Sequence, residues 1–192
     1  MGFFDWAAPL FGRYGDRWSA EDAEIIAGWL RPHLTGSGAI LDLGGGTGAL
    51  ASHLADVTGR PVTVLDPTPR MLAYLPDRPD VTSTLGRAES MPFADDAFDA
   101  VVVSDAFHHF RDQGGAVREM QRVVRCGGGV LVLELDPRPP VMRAVVLVER
   151  LLGEPGSFFA PDDLCAFMAL RGVDGTCEGQ RGVSYRFLGA VR

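Results

Sequence analysis

Three groups of residues in this 192-residue chain have types and spacings that can do chemistry. Gly44, Gly45, Gly46 and Gly48 follow the short apolar run of Ile40, Leu41 and Leu43, which has Asp42 inside it. Glycines lack a Cβ, so they allow positive φ and let backbone N–H groups come close to a ligand. The helix start expected from Ala49 onward offers further unpaired N–H groups. Asp66 ends a second apolar run, Val62 to Leu65, about twenty residues on, where nucleotide-binding folds place an acidic side chain against a ribose. The spacing Gly44-x-Gly46-x-Gly48 is one residue tighter than the G-x-G-x-x-G of dinucleotide sites. Asp42 would repel a pyrophosphate, so the ligand that fits carries a ribose and a positive charge rather than phosphates. His108 and His109 form the third group, histidine being the natural base near neutral pH. They read either as a base, with at most one ring facing substrate, or as packed, hydrogen-bonded residues near the ligand.

Positioning these groups takes strands and helices in alternation. Ser19 and Asp22 stand at capping-box spacing ahead of Ile25, Ile26, Trp29 and Leu30, which predicts a helix over about 20–34. The first strand, the glycine turn and a helix to about Thr58 follow, with Gly59 ending that helix. Val62 to Leu65 is a second strand, Asp66-Pro67-Thr68-Pro69 a stiff turn, and Met71, Leu72 and Leu75 mark a short helix. Val81 to Leu85 is a third strand. Asp99 to Ser104 is an almost continuous valine run, as in a central parallel strand covered on both faces. A helix over about 113–125 and a strand over 130–135 come next. The apolar segment after Pro137 to Pro140, extending to Phe159, is expected to form a short helix over the site. After a helix over 161–171, strands over about 173–178 and 184–191 are joined only by Gly179 to Gly182, so they must pair antiparallel. The fold class is therefore α/β, a doubly wound and mostly parallel sheet whose last strand is reversed. Ligands of such sheets sit beyond the carboxyl ends of the strands. That gathers Gly44 to Gly48, Asp66, Gly86 to Glu89, Ser104 to His109, and Glu134 to Asp136.

LDLGGGTG, Leu41 to Gly48, resembles motif I of the class I S-adenosylmethionine (SAM) dependent methyltransferases. GRAESMPFADDAFDAVVVSDAFHHF, Gly86 to Phe110, is similar to the corresponding block of the quinone-biosynthesis, UbiE-like (methyltransferase type 11) branch, and EMQRVVRCGGGVLVLE, Glu119 to Glu134, to its next helix and strand. The likeness runs from FDWAAPLFGRYG near the N-terminus to the closing YRFLGAVR. It implies one Rossmann-like domain over 1–192 with about seven strands, an N-terminal arm over 1–18 that includes Phe11 and Tyr14, and a substrate-side cover over 137–160. It also implies SAM as cofactor and S-adenosylhomocysteine as product. The implied cofactor cradle is Asp42, Gly44, Gly45, Gly46, Gly48, Asp66, Pro67, Met71, Ala88, Glu89, Ser104 and Asp105, with Met71 against the adenine or simply in the core. His108 and His109 are the candidate catalytic residues. Arg87 stands where the family often has Asp, and Cys126 where it has Pro. Ser104-Asp105-Ala106-Phe107 replaces the proline-aromatic tetrapeptide of nucleic-acid amino methyltransferases. No metal is assigned, although Asp105 with Glu134 or Asp136 offers an oxygen set of the catechol O-methyltransferase kind.

Composition narrows the partners. A net charge of −7 with scattered Arg argues against a nucleic-acid partner. Cys126, Cys165 and Cys177 are odd in number and lack C-x-x-C spacing, which indicates neither a disulfide framework nor zinc. The N-terminus shows no leader pattern, and Arg143, Glu149 and Arg150 break the longest aliphatic stretch, so the chain reads as soluble and cytoplasmic with no membrane span. The function expected is methyl transfer from SAM to a small, partly hydrophobic acceptor at C, O or N. The alternatives are a SAM-binding module without catalysis, serving regulation or scaffolding, and a nucleotide-dependent oxidoreductase. The last lacks both the glycine spacing and a Tyr-x-x-x-Lys pair.

Overall fold

The computed structural model describes residues 18–36, 38–151 and 156–192. The arm expected over 1–18 lies outside the described residues except for Trp18. The elements are α1 (Ala20–Leu30), β1 (Ala39–Leu43), α2 (Ala49–Thr58), β2 (Val62–Asp66), α3 (Pro69–Leu72), β3 (Val81–Leu85), β4 (Phe98–Ser104), α4 (Gln113–Val123), β5 (Val124–Leu135), α5 (Pro140–Leu151), α6 (Pro161–Ala169), β6 (Val173–Gly179) and β7 (Ser184–Val191), with 3₁₀ turns at Arg31–His33 and Phe107–His109.

The strands form one sheet in the order β3-β2-β1-β4-β5-β7-β6. β1 to β5 pair in parallel, and β7 runs against both β5 and β6. The reversed strand therefore sits between β5 and the sheet's last strand. Successive strand side chains point to opposite faces, and the core divides accordingly. Leu41, Val101, Val103, Val130 and Val132 meet Val117 and Met120 of α4 and Leu164 and Met168 of α6. Ile40, Val62, Val64, Ala100 and Val102 meet Ile26 and Leu30 of α1 and Leu50 and Leu54 of α2. Both faces are covered, which is why β4 reads as valine without alternation.

Among the boundaries that differ from the sequence reading, two helix ends have a clear local reason. The first helix stops at Leu30 instead of Leu34 because Pro32 cannot supply a helical N–H, and a 3₁₀ turn takes over at Arg31. The helix expected to reach Arg125 ends at Val123, since Val124 is already extended (φ −94°, ψ 128°). That frees Arg125 to turn its guanidinium onto Asp99. β5 accordingly starts six residues before Val130, and its register with β4 jumps from Phe98↔Val124 to Ala100↔Gly129.

Candidate functional site

The glycine turn leaves β1 through Gly44 (φ 76°) and Gly46 (φ 55°), left-handed backbone that favours glycine. A Cβ on Gly44 would stand 2.7 Å from the Ala106 Cβ, and one on Gly46 would stand 3.0 Å from the Met71 methyl, so larger residues would fill the space that the turn keeps open. Gly44 N–H donates to the Leu65 carbonyl at 2.7 Å, tying the turn to the end of β2. There Asp66, nearly buried, accepts from Gly46 N–H (3.1 Å) and Thr68 N–H (2.8 Å). Burial pushes its carboxyl above the ordinary carboxylate range, against the pull of these two amides.

Asp42 is the unusual member. It is fully buried beneath Gly45, where a Cβ would collide with its carboxylate, and neither oxygen has a hydrogen-bond partner among the described residues. Burial, then the neighbouring Asp66 carboxylate, pushes its pKa up to about 7, with the Ala51 backbone amide offsetting part of the rise. A buried acceptor without a donor is costly.

Above the turn lies a cavity of about 370 Å³. β1 and its turn contribute Leu43, Gly44 and Gly46. The end of β2 and the start of α3 contribute Asp66, Pro67, Thr68 and Met71, and the loop after β3 gives Arg87, Ala88 and Glu89. The segment after β4 closes it with Asp105, Ala106, His109, Phe110 and Arg111. Of the twelve cradle residues expected from the sequence, eight line this space: Gly44, Gly46, Asp66, Pro67, Met71, Ala88, Glu89 and Asp105. Asp42, Gly45, Gly48 and Ser104 lie behind it; Gly48 caps α2 in a left-handed conformation (φ 74°). Glu89 accepts the Arg111 and Asp112 amide N–H groups at 2.8 and 3.1 Å, so its carboxylate also holds the far wall together. Phe110 and Arg111 were missed; Phe110 closes the same HHF triplet as the two histidines, but nothing in the local pattern aims either residue at the cavity.

The two histidines separate. His108 is buried, and its Nδ1 lies 2.9 and 3.0 Å from the two Glu134 carboxylate oxygens; its backbone N–H also donates to Glu134 at 3.2 Å. Phe158 stacks on the His108 ring at 4.0 Å and 15°. His109 lines the cavity, and burial, then the adjacent His108, push its pKa down to about 4 against the opposing pull of Asp105. It is therefore a neutral imidazole at physiological pH. Asp105, at φ 52°, also lines a second cavity of about 240 Å³, whose other walls include Trp18, Leu133, Glu134 and Ser184. One ligand atom each of Asp105, His108 and Glu134 lies within 4.8 Å of the others. Asp136, the other oxygen considered for a metal, is instead held by Arg138 at 2.6 Å.

Residues 41–132 match the methyltransferase domain family. Over this segment the chain is similar to methyltransferase domains. The chain is 38% identical over 111 residues to a demethylmenaquinone methyltransferase of Chlorobaculum parvum, covering 57% of this chain and 46% of that protein. It is 33% identical over 152 residues to the ubiquinone/menaquinone biosynthesis C-methyltransferase UbiE of Shewanella sediminis, covering 70% of this chain and 60% of that one. The chain thus spans only about half the length of the curated relatives it matches. The crystal structure of a SAM-dependent methyltransferase from Thermotoga maritima, possibly a histamine N-methyltransferase, superposes with a TM-score of 0.76 at 18% identity over 98% of both chains, a likeness of fold. SAM is the cofactor of this domain class. The site fits it on two structural grounds: the unpartnered Asp42 carboxylate under the turn, and the open space that side chains on Gly44 and Gly46 would fill. Among the described residues no helix is long and apolar enough to cross a membrane.

Proposed function

We propose that this chain transfers the sulfonium methyl group of SAM to a small-molecule acceptor. The supporting observation is a single cavity that brings Asp66, the open glycine turn and a neutral His109 together at the carboxyl edge of a parallel sheet. Asp66, which accepts from the Gly46 and Thr68 amides, would hold the ribose hydroxyls with its remaining acceptor capacity. Gly44 and Gly46 would admit the aminoacyl arm, Met71 and Ala88 would flank the adenine, and the Asp42 and Asp66 carboxylates would favour a cationic ligand. When bound, SAM supplies the electrophilic methyl carbon.

The remaining work is positioning and proton removal. Asp105 stands where the two cavities adjoin and orients the acceptor. His109 accepts the proton that an N–H or O–H acceptor loses, and its low pKa keeps it in the accepting form. His108 is a positioning residue, clamped by Glu134 and Phe158. Ser157 bears on this wall: its N–H donates to the His108 carbonyl at 2.9 Å, and Gln113 bridges the Phe107 and Ser157 carbonyls. Trp18, Leu133 and Leu135 make the second cavity suited to a partly hydrophobic acceptor. The acidic net charge supports a small molecule over a nucleic acid, and three free thiols fit the cytoplasm.

Label transfer tests this reading. The protein is incubated with methyl-labelled SAM and a metabolite extract, and products are separated by mass. Labelled product that disappears in Asp66→Ala supports the proposal. Cofactor binding without any labelled product across extracts contradicts the transfer step.

A further inference from the structure

The sequence gives no reason to pair Cys165 with Cys177, because eleven residues separate them and no C-x-x-C motif is present. The fold brings them together. Cys165 lies on α6, whose Leu164 and Met168 are fully buried in the core, and Cys177 lies on β6, in register with Phe187 of β7. Both are half-buried free thiols, and their sulfurs stand 2.7 Å apart. That separation is within an ångström of a disulfide bond, whose length is about 2.05 Å. The two backbones are held by independent structure, α6 by its core side chains and β6 by its ladder to β7, so a bond needs no rearrangement of either element. Cys126, the third thiol, is exposed on β5.

We propose that Cys165 and Cys177 form an oxidation site that takes low-molecular-weight disulfides and becomes an intramolecular cystine tying α6 to β6. The Cys165 thiolate attacks one sulfur of the small disulfide, forming a mixed disulfide and releasing one small thiolate. Cys177 then gives up its proton to solvent, and its sulfur attacks the Cys165 sulfur, displacing the second small thiolate. Two protein thiols are oxidised to one cystine, one small disulfide is reduced to two small thiols, and no other reactant is needed. Burial, and then Cys165, raise the Cys177 thiol above its ordinary range, so the second step is carried by the contact between the two sulfurs and not by thiolate content. The bond closes a short loop and restrains the unfolded chain, so it stabilises the native state. It also fixes α6 behind the aromatic wall beside the histidines: Phe167 of α6 lies tilted against Phe159 at 4.7 Å and meets Phe107 edge-on at 6.3 Å. The inference does not depend on methyl transfer.

The test uses the folded, reduced full chain in buffers of reduced and oxidised glutathione, followed by alkylation and peptide mapping without reductant. The expected result is a cross-linked peptide containing Cys165 and Cys177, two hydrogens lighter than the sum of the free peptides. Cys126 should remain outside it, dithiothreitol should reverse the link, and the unfolding temperature should rise by about 5 °C or more. Cys126→Ser should behave in the same way, and Cys177→Ser should instead accumulate a glutathione adduct at Cys165. The proposal is overturned if folded Cys126→Ser keeps both thiols open to alkylation at saturating oxidised glutathione. Two separate glutathione adducts, or a cross-link that forms only in denaturant, overturn it equally.

Discussion

Asp42 and Asp99 are buried aspartates on neighbouring parallel strands, at opposite ends of the sheet, and they are treated in opposite ways. Asp99, at the start of β4, receives Arg60 Nη1 and Arg125 Nε, each at 2.6 Å, and the Gly38 N–H at 3.1 Å. The same two guanidinium groups also tie down the carbonyls of His33, Leu34 and Gly38, so one carboxylate organises the entry to β1 and β5. Burial raises the Asp99 carboxyl, but the two arginines outweigh it and hold it below the ordinary range. Asp42, at the end of β1, has no donor at full hydrogen-bond geometry among the described residues, only the weak pull of the Ala51 amide, and is pushed up to about 7. The amino-terminal edge of the sheet satisfies its charge internally, whereas the carboxyl edge leaves one unsatisfied. A buried carboxylate with its donors in place is structural; one without them is the candidate whose role substitution can test.

Substitutions at both edges should separate these roles. Asp99→Ala leaves two guanidinium groups facing each other and should destabilise the fold by about 3–5 kcal/mol in urea unfolding, while cofactor affinity per folded molecule stays unchanged. Asp66→Ala should do the reverse: a roughly 100-fold loss of cofactor affinity, about 3 kcal/mol, with a fold that survives. His109→Ala should lower kcat by about 100-fold at unchanged cofactor affinity. With a pKa near 4, His109 should give wild-type turnover no inflection between about pH 5.5 and 8, where an ordinary histidine would titrate near 6.5.

The smallest effect is the most diagnostic of the contrast. Asp42 binds its proton more tightly folded than unfolded, so its contribution favours the fold below about pH 4 and is lost as pH rises through about 7. Asp42→Asn should therefore raise the stability of the ligand-free protein at pH 8 by about 1–2 kcal/mol and flatten its pH dependence, while weakening cofactor binding severalfold. Equal responses at positions 42 and 99 would erase the distinction between the two edges.

Much of this was legible in the chain because it is local. The apolar runs, the glycine turn, Asp66 and the antiparallel finish all lie within short windows, and residue type fixes their geometry. The capping box at Ser19 formed as its spacing implies, with Asp22 N–H on the Ser19 hydroxyl oxygen and the Ser19 N–H on Asp22. What could not be read depends on distant partners. His108 meets Glu134 from 26 residues away, so the sequence could pair neither histidine with its role. Arg125 leaves the helical pattern for a carboxylate 26 residues earlier, and Cys165 meets Cys177 only once α6 packs on β6. Pairings of this kind are set by which strands become neighbours, and the sheet order places β4 between β1 and β5, and not beside β3.

Isothermal titration of S-adenosylhomocysteine into wild-type protein and Asp66→Ala, both shown to be folded by circular dichroism, reads the carboxyl-edge site most directly. One molecule bound per wild-type chain, with affinity about 100-fold weaker in the variant, is the expected result. No heat of binding in the wild type, or equal affinity in the two proteins, would contradict the assignment of this cavity to the cofactor.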